Sequence, residues 1–199
     1  MLIGYSDITV LHACWAVRGW GPRVYGTLAD SVEDSRQGES MRAFVRGESH
    51  RCTNETEPAG RVLRPGTCRA PVFAACLVVL ANLCGTPAMP SLNGSILAIE
   101  DIDERPYAID FALHQLFLSG ALRGVAGLLG GSFHHQPPAD YGGPTVDDIL
   151  SKWAGRLNVP AIAHLPFGHM DDQMVIPCGV SADIEAAPDG RWSVTWAER

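Results

Sequence analysis

GSILAIEDIDE, residues 94–104, places Ile96, Leu97, Ala98 and Ile99 directly in front of Glu100, Asp101, Asp103 and Glu104. A strand with one wet face alternates apolar and polar side chains; this one does not. An unbroken apolar run of this length fits a strand buried on both faces, as in the middle of a parallel sheet. Downstream, YAIDFALHQLFLSGALRG (107–124) reads as an amphipathic helix with a glycine stop, and VAGLLGGSF (125–133) as a second buried strand. TVDDILSKWAGRL (145–157) reads as a helix capped by Thr145, and VPAIAHLP (159–166) as a third short strand. The segment 175–198 closes as a hairpin turning at Pro188-Asp189-Gly190. Strands alternating with helices specify α/β with mostly parallel pairing.

Upstream, APVFAACLVVLANLCGTPAM (70–89) is the most apolar stretch. It contains Asn82 and ends in Gly85-Thr86-Pro87, so a buried helix over 72–84 is expected rather than a membrane span. Residues 47–61 lack apolar periodicity and read as a linker after a helical stretch around 41–46. VYGTLAD (24–30) reads as a short strand into a turn, and SDITVLHACWAVRG (6–19) as a helix with Ser6 or Asp7 at its cap. The expected organisation is therefore 1–46, a linker over 47–61, and a C-terminal α/β domain over 62–199.

The 199 residues are 46% hydrophobic and 19% charged, which fits a folded globular chain. A net charge of −7 with no basic run argues against nucleic acid as the partner. The six cysteines, 14, 52, 68, 76, 84 and 178, form no CxxC pair. The first residues carry no basic stretch followed by an apolar core and a cleavage site, so reduced thiols in a cytoplasmic protein are expected.

Functional groups in open α/β sheets collect at the carboxyl ends of strands. Three residues meet that rule: Ser6 in IGYSDITVLH (3–12), Glu100, and His169 in PFGHMDD (166–172). A serine, a base and an acid so placed are the parts of a Ser-His-acid triad, recognised by role rather than chain order. A strand-to-helix turn at Ser6 exposes its hydroxyl and aims the first turn, with the Asp7 backbone amide, at a developing oxyanion. Gly4 permits a tight approach, although Ile8 stands where G-x-S-x-G has its second glycine. The competing readings are a helix cap for Ser6, a solvated acidic turn or carboxylate metal site at Glu100, and an ordinary loop histidine at 169. His12 lies about 9 Å along the same helix from Ser6 and cannot be its base. Adjacent His134 and His135 rarely share one ion, and His164 is expected in the core.

IGYSDITVLH, NLCGTPAMPSLNGSILAIEDIDERPYAID, QLFLSGALRGVAGLLGGSF and PFGHMDDQMVIPCGV together resemble the LD-carboxypeptidase family of serine peptidases, in the family's order and over nearly the whole chain. That family includes muramoyl-tetrapeptide carboxypeptidases and microcin C self-immunity peptidases. The resemblance implies Ser6 as nucleophile, Glu100 as the acid that orients the histidine, His169 as general base, and the Asp7 amide as an oxyanion donor. It implies hydrolysis of the bond before a C-terminal D-alanine of a murein tetrapeptide in peptidoglycan recycling, without metal or organic cofactor. The implied partners are a small peptide and a second copy in a homodimer, with neither nucleic acid nor membrane. The implied fold is the remainder of a Rossmann-like N-terminal domain followed by an α/β domain with a mostly parallel sheet.

The chain departs from the family in three places. Strands and helices that precede the nucleophile turn in the family do not precede Gly4 here, so a fragment or a mis-called start is expected. A Gly-Gly-Asn-Leu stretch reads Ala74-Ala75-Cys76-Leu77, and HGP reads Tyr25-Gly26-Thr27, with Phe111 replacing the arginine of IDR. The rival expectations are an inactive remnant that only binds peptide, a metal-dependent hydrolase on Glu100, Asp101, Asp103 and Glu104, and an immunity-type peptidase. The last cleaves a peptidyl-nucleotide toxin and calls for aromatic groups such as Trp15, Trp20 and Tyr25 beside the cleft.

Overall fold

A computed structural model describes residues 1–27, 35–134 and 141–198. The chain runs through β1 (Leu2–Gly4), a 3-10 turn (Ser6–Ile8), α1 (Thr9–Val17), β2 (Arg23–Tyr25) and α2 (Arg36–Arg46). Then come β3 (His50–Thr53), β4 (Arg61–Arg64), β5 (Gly66–Cys76), α3 (Leu77–Ala81), β6 (Ile96–Ile102) and α4 (Pro106–Leu118). It closes with β7 (Gly127–His134), α5 (Val146–Leu157), β8 (Ala161–Ala163), β9 (Ile176–Cys178), β10 (Ser181–Ala186) and β11 (Trp192–Trp196). Residues 28–30 of the expected strand-turn, and His135, lie outside the described residues.

Eight strands form one sheet in the order β3-β11-β10-β5-β6-β7-β8-β4. The expected parallel pairing occupies its centre, where β5, β6, β7 and β8 run side by side. Parallel neighbours need crossovers, and α3, α4 and α5 supply the three. Both flanks are antiparallel: β10 and β11 form the hairpin about 188–190, and β3 and β4 close the two edges. The stretch 47–61, read from its lost periodicity as a linker, thus contains edge strand β3. An edge strand buries one face only, so it carries little apolar signal.

β6 has the two-sided burial its run demanded. Leu97 and Ile99 face Leu80, Ile109, Leu113 and Trp153 of the helical layer. Ile96 and Ala98 face Tyr25, Phe167, Trp192 and Val194 in the opposite core.

The helix expected over 72–84 is corrected by the structure. Val72–Cys76 completes β5, paired in parallel with Ile96–Glu100, and only Leu77–Ala81 is α-helical. A fully apolar run has no period to read, so a buried strand followed by a buried helical turn looks like one helix. β5 also changes character along its length: Gly66–Pro71 pairs with β10 and alternates in burial, whereas Val72–Cys76 is buried throughout.

A second, three-stranded sheet has the order β1-β2-β9. β1 and β2 are parallel, and β9, from the far end of the chain, pairs antiparallel with β2. No helix among the described residues is long and apolar enough to cross a membrane. The six cysteines are free thiols.

Candidate active site

β1 ends at Gly4, and the chain turns sharply through Tyr5 into Ser6. Ser6 has φ +59°, a left-handed conformation that costs a non-glycine residue about 1–2 kcal/mol. Such strain persists only where the surroundings enforce it. Here a Cβ on Gly4 would sit 2.7 Å from the Ile8 side chain, so the turn packs onto β1 only because Gly4 has none. The cap reading of Ser6 fails, because neither the 3-10 turn nor α1 has a side-chain cap. Instead its Oγ lies 3.1 Å from His169 Nε2. The Asp7 amide belongs to the first turn, where N–H groups lack intrahelical acceptors.

Glu100 ends the apolar part of β6 and is fully buried. The pairing of β6 with β7 shifts register between Ile99 and Asp101, a bulge centred on the acid. Successive residues of a strand point to opposite faces, so the two adjacent carboxylates diverge. Asp101 turns to the helical layer and accepts from the Val78 N–H at 2.9 Å, anchoring the start of α3. Glu100 turns to the other side, where Oε2 accepts from His169 Nδ1 at 2.7 Å and from the His169 N–H at 3.3 Å. Its Oε1 accepts from the Tyr25 hydroxyl at 2.5 Å, and that hydroxyl in turn accepts from the Ser6 N–H at 3.1 Å. Burial pushes the Glu100 carboxyl above its ordinary range, opposed by the bonds from Tyr25 and His169. Every partner is placed as a donor, which favours the charged form.

The loop after β8 carries the histidine. Gly168, at φ +96°, presents no Cβ, and one there would lie 2.5 Å from Glu100 Cγ and 2.6 Å from its Oε2. The Ser132 hydroxyl donates to the His169 carbonyl at 3.1 Å, and the Tyr5 ring lies 5.0 Å from the imidazole. The structure thus brings Ser6, His169 and Glu100 into one hydrogen-bonded line, with Asp7 beside it. Sequence reasoning passed over Gly168, whose only signal is a glycine directly before His169. It also assigned Tyr25 a different task.

The remaining candidates lie elsewhere. His12 is buried, and its Nε2–H donates to the Gly4 carbonyl at 2.9 Å, facing β1 rather than Ser6. His164 corrects the expectation of a core residue: it is exposed, has φ +59°, and pairs with Asp147 at 3.0 Å. It directly follows β8, where the strand leaves the sheet and alternation no longer dictates burial. His134 is exposed at the end of β7. Among the described residues no three His, Cys, Asp or Glu side chains are grouped to hold a metal. Trp15 and Trp20 pack edge-to-face at 4.7 Å, and Trp15 stands about 13 Å along the helix axis from Ser6. A cavity of about 380 Å³ lies by the opposite end of β6, lined by Cys84, Met89, Asn93, Ser119 and Arg123 among others.

Residues 69–184 match the family model described as the LD-carboxypeptidase C-terminal domain. The chain is 36% identical over 190 residues to a carboxypeptidase homologue from Streptomyces coelicolor, covering 94% of this chain and 59% of that protein. The crystal structure of muramoyltetrapeptide carboxypeptidase from Oxalobacter formigenes superposes with a TM-score of 0.81 at 27% identity, covering 98% of this chain and 68% of that one. The microcin C7 self immunity protein MccF shares the fold, with a TM-score of 0.80 at 19% identity over 100% of this chain and 68% of its own. The chain spans 59–60% of the length of the first curated relatives it matches.

Proposed function

The chain belongs to the LD-carboxypeptidase family, and from that premise we propose that it is a serine-type hydrolase removing a C-terminal D-amino acid from a murein tetrapeptide. The observation that carries this reading is the line Ser6 Oγ–His169 Nε2 and His169 Nδ1–Glu100 Oε2, at 3.1 and 2.7 Å, with Ser6 held in a left-handed turn. Glu100 keeps the proton on Nδ1 and leaves the Nε2 lone pair facing the serine.

In the acylation step Ser6 Oγ attacks the carbonyl carbon of the scissile amide while its proton passes to His169 Nε2. The oxyanion so formed faces the Asp7 N–H. The C–N bond then breaks, His169 returns the proton to the departing amine of D-alanine, and an acyl-serine remains. Water activated by the same histidine releases the shortened peptide. No step calls on a metal or an organic cofactor. The nucleotide-toxin reading depends on aromatic rings at the cleft. Trp15 stands in the second half of α1, Trp20 lies beyond its end, and the Tyr25 hydroxyl is engaged by Glu100 and Ser6, which leaves the Tyr5 ring, 5.0 Å from the imidazole, as the aromatic group at the site. Murein peptide is preferred because the relatives of higher identity are named for it.

The test is D-alanine release from a tetrapeptide ending in L-Lys-D-Ala or diaminopimelate-D-Ala. Ser6→Ala is expected to lower turnover at least about 10³-fold while the chain stays folded, as loss of a triad member does. Equal release by wild type and variant would reject Ser6. A folded wild-type chain releasing no D-alanine would reject the assigned reaction.

A further inference from the structure

Four hydrogen bonds close a ring: Ser6 Oγ to His169, His169 to Glu100, Glu100 to Tyr25, and Tyr25 back to the Ser6 N–H. Three of these groups are the proposed serine, base and acid. The fourth comes from β2, which pairs with the strand leading into the nucleophile turn. We infer that Tyr25 is a positioning residue, its hydroxyl clamping the acid to the nucleophile's backbone. The inference rests on the peptidase reading above and adds to it a fourth member acting through Glu100 and Ser6.

Tyr25 and Glu100 are both fully buried, so water does not satisfy Glu100 Oε1. Among the described residues the Tyr25 hydroxyl is its only hydrogen-bond donor. A buried carboxylate oxygen without a donor costs free energy and favours protonation. A protonated Glu100 would lose its charge-assisted grip on His169. The same phenol oxygen accepts the Ser6 N–H, a donor at the strained residue of the turn. One hydroxyl can do both only by giving its proton to the acid and its lone pair to the amide. Burial and the neighbouring carboxylate hold the phenol far above its ordinary pKa, so it remains a donor at every working pH.

The groups around this clamp come from every neighbouring element. His169 and Tyr5 face it from the loop and the turn. Thr9 and His12 of α1 approach the phenol, the His12 ring at 5.7 Å, with Arg23 near that imidazole. Cys76 lies beside Glu100 on β5, and Asp101 leaves β6 on the opposite face.

The experiment is a double-mutant cycle with Tyr25→Phe and Glu100→Gln, read by D-alanine release across pH. Tyr25→Phe is expected to lower kcat about 10–100-fold with KM within about twofold, and to move the acidic limb of the profile to higher pH. In the Glu100→Gln background it is expected to cost less than about threefold more, because its action passes through the acid. Full additivity, or an unshifted limb, would overturn the inference.

Two further measurements stand apart from these. The proton between His169 Nδ1 and Glu100, followed by NMR and identified by its loss in Glu100→Gln, reports the clamp in a chain that releases no D-alanine. It is expected to persist to lower pH in wild type than in Tyr25→Phe, and equal persistence would overturn the clamp even where the peptidase reading has failed. Difluorotyrosine at position 25 keeps the ring and strengthens the donor, so it serves if the phenylalanine variant does not fold. It is expected to extend the proton's persistence to lower pH, and no change would again overturn the inference.

Discussion

At Gly168 one methyl group decides whether the His169 imidazole and the Glu100 carboxylate can meet. The His169 N–H and Nδ1 both reach Glu100 Oε2, which requires the loop backbone to lie against the carboxylate. A Cβ at position 168 would stand 2.5 Å from Glu100 Cγ, at a φ of +96° that an alanine resists. Gly168→Ala must therefore push the loop or the acid away. We expect it to cost about 1–3 kcal/mol of stability by overpacking and to lower kcat about 10²-fold or more. Chemical denaturation and D-alanine release would check the two effects, and a fully active alanine variant would show that the loop can retreat without losing the relay. That Ser6, Glu100 and His169 meet was legible because residue type and strand-end position together single them out. The hydroxyl of Tyr25 and the bare Cα of Gly168 were not, since each acquires its role only when distant segments meet.

α1 shows how an element can be tied down by a histidine with no part in the chemistry. The Nε2–H of His12 holds the helix to the Gly4 carbonyl, and Nδ1 is buried without a partner among the described residues. Protonation would add a buried N–H with no acceptor, and burial lowers this imidazole from 6.5 to about 4. The unfolded chain therefore takes up the proton first as pH falls. Its contribution is intact above about 6.5, declines between 6.5 and 4, and is lost below, for a total on the order of 3 kcal/mol. Glu100 and Asp101, both raised by burial, oppose this by favouring the folded state on acidification. A His12→Gln variant, measured by urea unfolding at each pH, isolates the histidine. Its stability relative to wild type is expected to improve by that amount from pH 7 to pH 4, and parallel curves would contradict it. Elements with a period or a cap were readable in advance: α4, α5 with Thr145 at its cap, and the β10–β11 hairpin. β5 and α3 were not separable, because an apolar run buried on every side has no wet face to mark where strand becomes helix.

Across the whole molecule, the proposed nucleophile and base are joined through a strand remote in sequence. β9 begins seven residues after His169 and pairs with β2, which pairs with β1, the strand that aims Ser6. Val72 of β5 completes the connection, donating its N–H to the Val180 carbonyl at 3.0 Å and accepting the Gly179 N–H at 2.8 Å. The polar stretch over 47–61 therefore does not separate the sheet behind Ser6 from the chain that carries Glu100 and His169. Local patterning could not reveal this, because a three-residue strand such as β9 acquires its partner only from the global fold. The coupling makes a distinct prediction for Ile176, fully buried on β9. Ile176→Ala is expected to destabilise by about 2–5 kcal/mol through the cavity it leaves. Hydrogen exchange should then quicken in β1 and β2 as much as in β9, and D-alanine release should fall, because Ile176 is the strand partner of Tyr25 and β2 holds β1 behind the Ser6 turn. Were exchange to rise in β9 alone, with release unchanged, the strand would be a dispensable edge and the Ser6 turn would be held by β2 without it.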